Sequence, residues 1–182
     1  MVTRRAQNTR KKLLEAAELL VIRDGVSRLT LEAVASEAGM SKGSLLYHFP
    51  TKDDLIRGMV VRLIERFEED VEASRDEGPG GWVRGYARAT FGWAEEPREV
   101  AVDAALLATM ANNPKLLDPL RERYEVWQRR IEDDGLDPLV GTLLRLAADG
   151  VWLTALFGLA PSDGELKEGV LRALIELTQD SP

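Results

Sequence analysis

The chain contains no cysteine and a single histidine, His48, among its 182 residues. Without thiols there is no disulfide framework, no thiolate nucleophile and no thiolate metal site. One imidazole also excludes a His-rich zinc site or a His pair. No apolar run approaches the roughly 18–20 residues that a membrane span needs. The basic N-terminus, MVTRRAQNTRKK, lacks the apolar segment of a signal peptide. A cytoplasmic protein with no membrane partner is therefore expected. There is no phosphate-cradling glycine loop, and a Ser–His–acid triad would have to use His48, on a short helix. These absences argue against an enzyme and leave no metal and no cofactor to expect. Strand-type alternation of useful length is missing too, so the fold class expected is all-α.

Charge is scarce in one sign overall but not locally. The net charge of −7 argues at first against a polyanionic partner. Residues 1–52, however, carry nine Lys/Arg and five Asp/Glu, a balance of +4, which leaves −11 on the remainder. A basic head on an acidic body divides polyanion contact from some other task.

The head has a legible organisation. Leu13, Ala17, Leu20 and Val21 form one helical stripe, stopped at Arg23-Asp24-Gly25. The next stretch, TLEAVASEAGMSKGSLLYHFPTK (30–52), reads as helix, tight turn and short helix. Thr30 and Ser41 are placed to cap the two helices. Ala35, Gly39 and Leu45 stand where a helix-turn-helix needs a small crossing residue, a left-handed turn and a core plug. Leu45 and Phe49, four apart, face inward, so the outer face of Lys42–Phe49 is free to enter a DNA major groove.

Lys42 has the reach for a guanine edge or a phosphate, Ser44 can hydrogen-bond either, and Leu46 can sit on a thymine methyl. Gly43 permits close approach, and Tyr47 and His48 have the reach for backbone phosphates. For His48, packing on the following helix is the competing reading. Thr30, Ser41 and Lys52, at helix N-termini, suit phosphate oxygens. Arg4 and Arg5 are expected to trail along the backbone as a flexible arm. The partner predicted is double-stranded DNA.

The rest of the chain is also helical in spacing. Pro50 breaks the short helix, and Thr51 with Asp54 is a capping-box pattern for a long helix running to about Arg75. GPGG at 78–81 is the clear linker, although the long helix before it can serve both parts. Residues 1–52 form the expected helix-turn-helix domain, and residues 53–182 a helical ligand-binding and dimerisation bundle. Beyond the linker, Trp82, Tyr86, Ala89 and Trp93 share a helical face, and Pro97 can open the next helix. Asn112-Asn113-Pro114 ends that helix. Asp118-Pro119 and Asp137-Pro138 each read as an N-cap followed by proline, and Ser162 with Glu165 as another capping box. Nine helices are expected in all.

All four tryptophans lie in this second part. Such an aromatic bundle can hold a small-molecule pocket between helices. The candidate lining is Tyr86, Phe91, Trp93, Leu107, Met110, Tyr124, Trp127, Val151 and Thr154; ordinary core packing is the alternative for each. Asp103 and Asp149 are acids in apolar surroundings, and a buried carboxylate needs a partner. That partner is a ligand cation, an internal arginine or a helix end, and aromatics beside carboxylates suit a flat lipophilic cation. The last two helices, about 138–158 and 163–179, are apolar over more than one face. Surplus of that kind marks a homodimer contact of four helices, or burial of both faces within one protomer.

The block TLEAVASEAGMSKGSLLYHFPTKDDLI resembles the N-terminal domain of the tetracycline-repressor (TetR) family of transcriptional regulators. The resemblance is close over about residues 8–57, and Tyr47, His48, Phe49 and Lys52 match the family's motif. Leu46 departs from it, where many members carry a DNA-contacting aromatic, which implies a different operator preference. The C-terminal segment resembles members of the multidrug-responsive type. The resemblance implies a homodimeric repressor on a palindromic operator, its two recognition helices about 34–36 Å apart, released by a small ligand bound in the C-terminal domain.

Overall fold

The computed structural model describes residues 4–179, and among them the chain forms nine α-helices, two short 3₁₀ turns and no strand. The helices are α1 (Arg4–Asp24), α2 (Leu31–Glu37), α3 (Lys42–His48), α4 (Lys52–Ser74), α5 (Gly81–Trp93), α6 (Pro97–Asn112), α7 (Asp118–Glu132), α8 (Pro138–Phe157) and α9 (Gly164–Leu177). The all-α, nine-helix expectation holds. The chain divides into two compact units, one of Met1–Leu63 with Ala101–Pro119, the other of Ile64–Val100 with Leu120–Pro182. Helices α4 and α6 each contribute residues to both units.

In the first unit, α1 turns Leu13, Leu14, Ala17, Leu20 and Val21 inward, where they join Leu29, Val34, Leu45, Leu55 and Met59 in a dry core. Full burial of each Leu, Val or Met side chain here contributes about 1.5–3 kcal/mol. A charge sits in this interior: Glu18, 1% exposed, accepts from Arg62 of α4 at 3.1 Å, and Arg62 also reaches Glu15 at 3.2 Å. The α2–α3 turn closes through Gly39 N–H to the Ser36 carbonyl (3.1 Å) and Met40 N–H to that of Ala35 (2.8 Å). This double closure needs a left-handed residue, and Gly39 supplies it at φ 64°. Thr51 and Asp54 form the predicted capping box, each backbone N–H bonding the other's side chain at 3.1 Å.

In the second unit, α5 is buried along almost its whole length and packs chiefly on α8. Its N-terminus is capped from the α7–α8 loop, where the Asp134 carboxylate accepts from Trp82 and Val83 N–H at 3.3 and 2.9 Å. Gly85 lets α5 lie against the end of α4: a Cβ there would stand 2.7 Å from the Val71 carbonyl oxygen. Asp137 caps α8, accepting from Leu139 N–H at 2.9 Å.

Several local expectations are corrected. Arg4 and Arg5 open α1 and do not form an extended arm, because Thr9 and the residues after it continue the helix back to them. Asp118 is the first residue of α7, since Pro114–Leu117 forms a 3₁₀ turn leading directly into it. Asp163, not Ser162, precedes α9, with no side-chain capping bond. Finally, α8 is a 20-residue helix long and apolar enough, by length and composition, to cross a membrane. The sequence reading missed it because Arg145 and Asp149 interrupt the run, and these pair with each other at 2.7 Å.

Candidate functional site

Helix α3 is seven residues long and is fixed by its two ends. At the start, the Ser41 hydroxyl accepts from Ser44 N–H at 3.2 Å. At the far end Phe49 is 2% exposed, with the Arg10 guanidinium 5.4 Å from its ring centre. Between them Leu45 is fully buried. The opposite face carries Lys42, Gly43, Leu46 and Tyr47, all exposed, and Tyr47 is 81% accessible. An aromatic ring so exposed makes little contribution to a core, so it is available to a partner. Ser44 and His48 are half-buried; His48 sits between Tyr47 (5.1 Å between ring centres) and Phe49 (6.5 Å). Beside Gly43 an added Cβ would meet only the Ser41 hydroxyl, 4.0 Å away.

The remaining head candidates are placed less uniformly. The Thr30 side chain accepts from Ala33 N–H at 3.1 Å at an exposed α2 start. Lys52 is partly committed internally, donating to the Val26 carbonyl at 3.3 Å. Arg4 and Arg5 are exposed on the first turn of α1. Lys42 has a neighbour that sequence reasoning did not supply: the Glu32 carboxylate lies 2.5 Å from its ammonium. Only the turn geometry brings residues ten apart on two different helices together, so no spacing rule announces the pair.

In the second unit, Phe67 is the hub of a ring cluster. Its centre lies 5.2 Å from Tyr86, 5.5 Å from Trp93 and 5.2 Å from Trp127. Tyr124 stacks at 5.0 Å on Trp127. Two indole N–H groups have carboxylate acceptors: Trp93 donates to Asp70 at 2.6 Å, and Trp127 to Glu68 at 2.7 Å, with Arg123 on the same Glu68. Asp149 takes the Tyr86 hydroxyl at 2.5 Å, the Tyr124 hydroxyl at 3.3 Å and Arg145 at 2.7 Å. An internal arginine is among the partners expected for this carboxylate, and two phenols join it.

Tyr86, Phe91, Trp93, Tyr124, Trp127, Asp149, Val151 and Thr154 thus belong to one unit, whereas Asp103, Leu107 and Met110 belong to the other. Thr154 turns its hydroxyl to the Val151 carbonyl at 2.9 Å. A cavity of about 520 Å³ opens beside the ring cluster, lined by Arg66, Asp70, Arg88, Trp93, Glu96 and Glu99 among others. Trp93 is the sequence candidate that lines it.

Burial raises the Asp149 carboxyl above the ordinary range, against the pull of Tyr86 and Arg145. Burial likewise raises both phenols above their ordinary range. The folded protein therefore holds two protons that the unfolded chain releases near pH 10. With more protons bound when folded, stability falls as pH rises above about 10, by up to about 1.4 kcal/mol per pH unit for each phenol. Tyr86→Phe and Tyr124→Phe should each flatten that decline in denaturant melts taken between about pH 9.5 and 11.5. An unchanged decline in both variants contradicts the assignment.

Two family profiles match this chain. The one described as bacterial regulatory proteins, tetR family, covers residues 13–59, and the tetracyclin repressor-like C-terminal domain covers residues 80–179. The chain belongs to the TetR family. Among curated relatives, the HTH-type transcriptional regulator TtgR of Pseudomonas putida is 36% identical over 72 residues, 40% of this chain and 34% of that protein. The nucleoid occlusion factor SlmA of Aliivibrio fischeri is 38% identical over 72 residues, 39% of this chain and 35% of that protein. The matched segment thus spans about a third of the length of these relatives. Solved structures align over far more. A TetR-family member from Streptomyces coelicolor has a TM-score of 0.71 at 25% identity, covering 93% of this chain and 98% of that one. The multidrug binding protein EbrR complexed with ethidium has a TM-score of 0.70 at 26% identity, with the same coverage. The TetR resemblance read from TLEAVASEAGMSKGSLLYHFPTKDDLI is thereby established.

Proposed function

We propose that this protein is a cytoplasmic, non-enzymatic repressor that binds a palindromic operator as a homodimer and is released by a small lipophilic molecule. The observation that carries the reading is the outer face of α3, where Lys42 and a Tyr47 that is 81% accessible stand on a helix anchored by buried Leu45 and Phe49. Lys42, Ser44 and Leu46 are assigned to base edges or the nearest phosphates. Tyr47, His48, Thr30, Ser41, Lys52, Arg4 and Arg5 are assigned to the backbone, with Gly43 allowing approach.

The dimer reading rests on Leu139, Leu143, Leu146, Leu153 and Phe157, spaced to share one face of α8 and between 43% and 64% exposed. Leu166 and Leu177 of α9 are exposed as well. Apolar stripes of that extent favour a second copy over water.

The effector reading rests on the ring cluster, on the acidic cavity beside Trp93, and on the likeness to a protein solved with ethidium, a flat organic cation. Ligand binding is proposed to shift α4, which runs from the head into the second unit, and to do so only as far as it favours the released state.

Lys42→Ala and Tyr47→Ala should each weaken duplex binding by about 1–3 kcal/mol, roughly 5- to 150-fold. Gel shifts on duplex DNA check this; no change in either variant removes α3 from the interface.

A further inference from the structure

We propose that Glu32 is a positioning residue for operator recognition, which holds Lys42 toward base edges and suppresses indiscriminate attachment to phosphates. The inference rests on the DNA-binding reading above and deepens it.

Glu32 is the second residue of α2 and Lys42 the first of α3, and their charged atoms are 2.5 Å apart. Both side chains remain more than half exposed, at 63% and 58%. A pair so open to water contributes at most about 1 kcal/mol to folding, so its stabilising effect is a weak reason for placing an acid there. The hydrogen bond from the Lys42 ammonium holds the Glu32 carboxyl below its ordinary range.

The consequence lies in what the head presents to a polyanion. Non-specific attachment grows with every lysine or arginine that displaces a counterion from phosphate. Lys42 neutralised by Glu32 displaces none until it leaves its partner. When it leaves, an uncompensated carboxylate is carried toward the backbone. A base contact does not require that exchange. An ammonium has three donors, so Lys42 can keep one on Glu32 and present the others to the O6 and N7 acceptors of a guanine. The pair therefore discriminates against the generic mode while allowing the base-reading one, and discrimination of this kind is a difference between two affinities.

The test uses the full chain and a 30-base-pair duplex of random sequence, with binding followed by fluorescence anisotropy across a sodium chloride series. Glu32→Gln removes the charge and keeps the shape. It should tighten binding about five- to tenfold near 0.1 M salt and steepen the plot of log K against log salt by about 0.9, the signature of one added phosphate contact. Glu32→Asp, which keeps the charge, should retain the wild-type slope. In a Lys42→Ala background, Glu32→Gln should leave the slope unchanged, because the effect acts through Lys42. A wild-type slope in Glu32→Gln, or the same steepening without Lys42, overturns the inference while leaving the DNA-binding reading intact. Failure of the wild-type chain to bind duplex at any salt overturns both.

Discussion

Replacing Leu143 and Leu146 together by glutamate should leave each protomer folded, convert a dimer to a monomer and weaken operator binding by about 10²- to 10⁴-fold. Both leucines are more than half exposed within the protomer, at 55% and 53%, so the substitution removes little of its own core. In the proposed dimer the same positions face a second copy. Four carboxylates brought together in an apolar contact would have no counter-charge. The loss of binding follows from linkage of two heads. Once one head is docked, the second binds at a high effective concentration, and avidity of this kind exceeds single-site affinity by about 10²–10⁴. Sedimentation gives the mass, far-ultraviolet circular dichroism reports the fold, and anisotropy on an operator duplex gives the affinity. A folded variant that remains dimeric places the interface elsewhere. A monomer with wild-type affinity contradicts the two-headed grip.

Phe67→Ala should destabilise the second unit by about 3–5 kcal/mol, the range for deleting a large buried aromatic. Phe67 is 8% exposed and touches Tyr86, Trp93 and Trp127 edge-on or tilted. Its removal leaves a void between rings that are themselves tied down: Tyr86 to Asp149, Trp93 to Asp70 and Trp127 to Glu68. Partners held in this way cannot collapse freely into the space, which places the cost toward the upper part of the range. Phe67→Leu should recover about half or more of the loss, because it restores most of the buried volume. Urea melts followed by tryptophan fluorescence check both. A loss for Phe67→Ala below about 1 kcal/mol contradicts the assignment of Phe67 as hub.

How much of this was legible in the sequence depended on whether the signal was local. The head was readable because its determinants are adjacent: Thr30 and Ser41 as caps, Gly39 as turn, Leu45 and Phe49 one helical turn apart. The capping box at Thr51 and Asp54 is four residues long and formed as expected. What was missed joins distant residues or depends on what a neighbour supplies. Glu32 meets Lys42 only through the angle between α2 and α3. Phe67 lies on α4, whose apolar stripe announced a helix but not which rings would gather round it. Asp149 was singled out as needing a partner, but its choice among Arg145, Tyr86, Tyr124 and a ligand is set by tertiary packing. Ser162 had the right spacing to Glu165 for a capping box, but α9 begins after Asp163 without a side-chain cap. Arg4 and Arg5 read as an arm in the sequence, although α1 extends back to them.

The most direct measurement of the central claim is selection of bound sequences from a random duplex pool by the full wild-type chain. The account predicts enrichment of an inverted repeat whose half-site centres lie about one helical turn, 10–10.5 base pairs, or a multiple of it apart. A recovered pool indistinguishable from the input would contradict it.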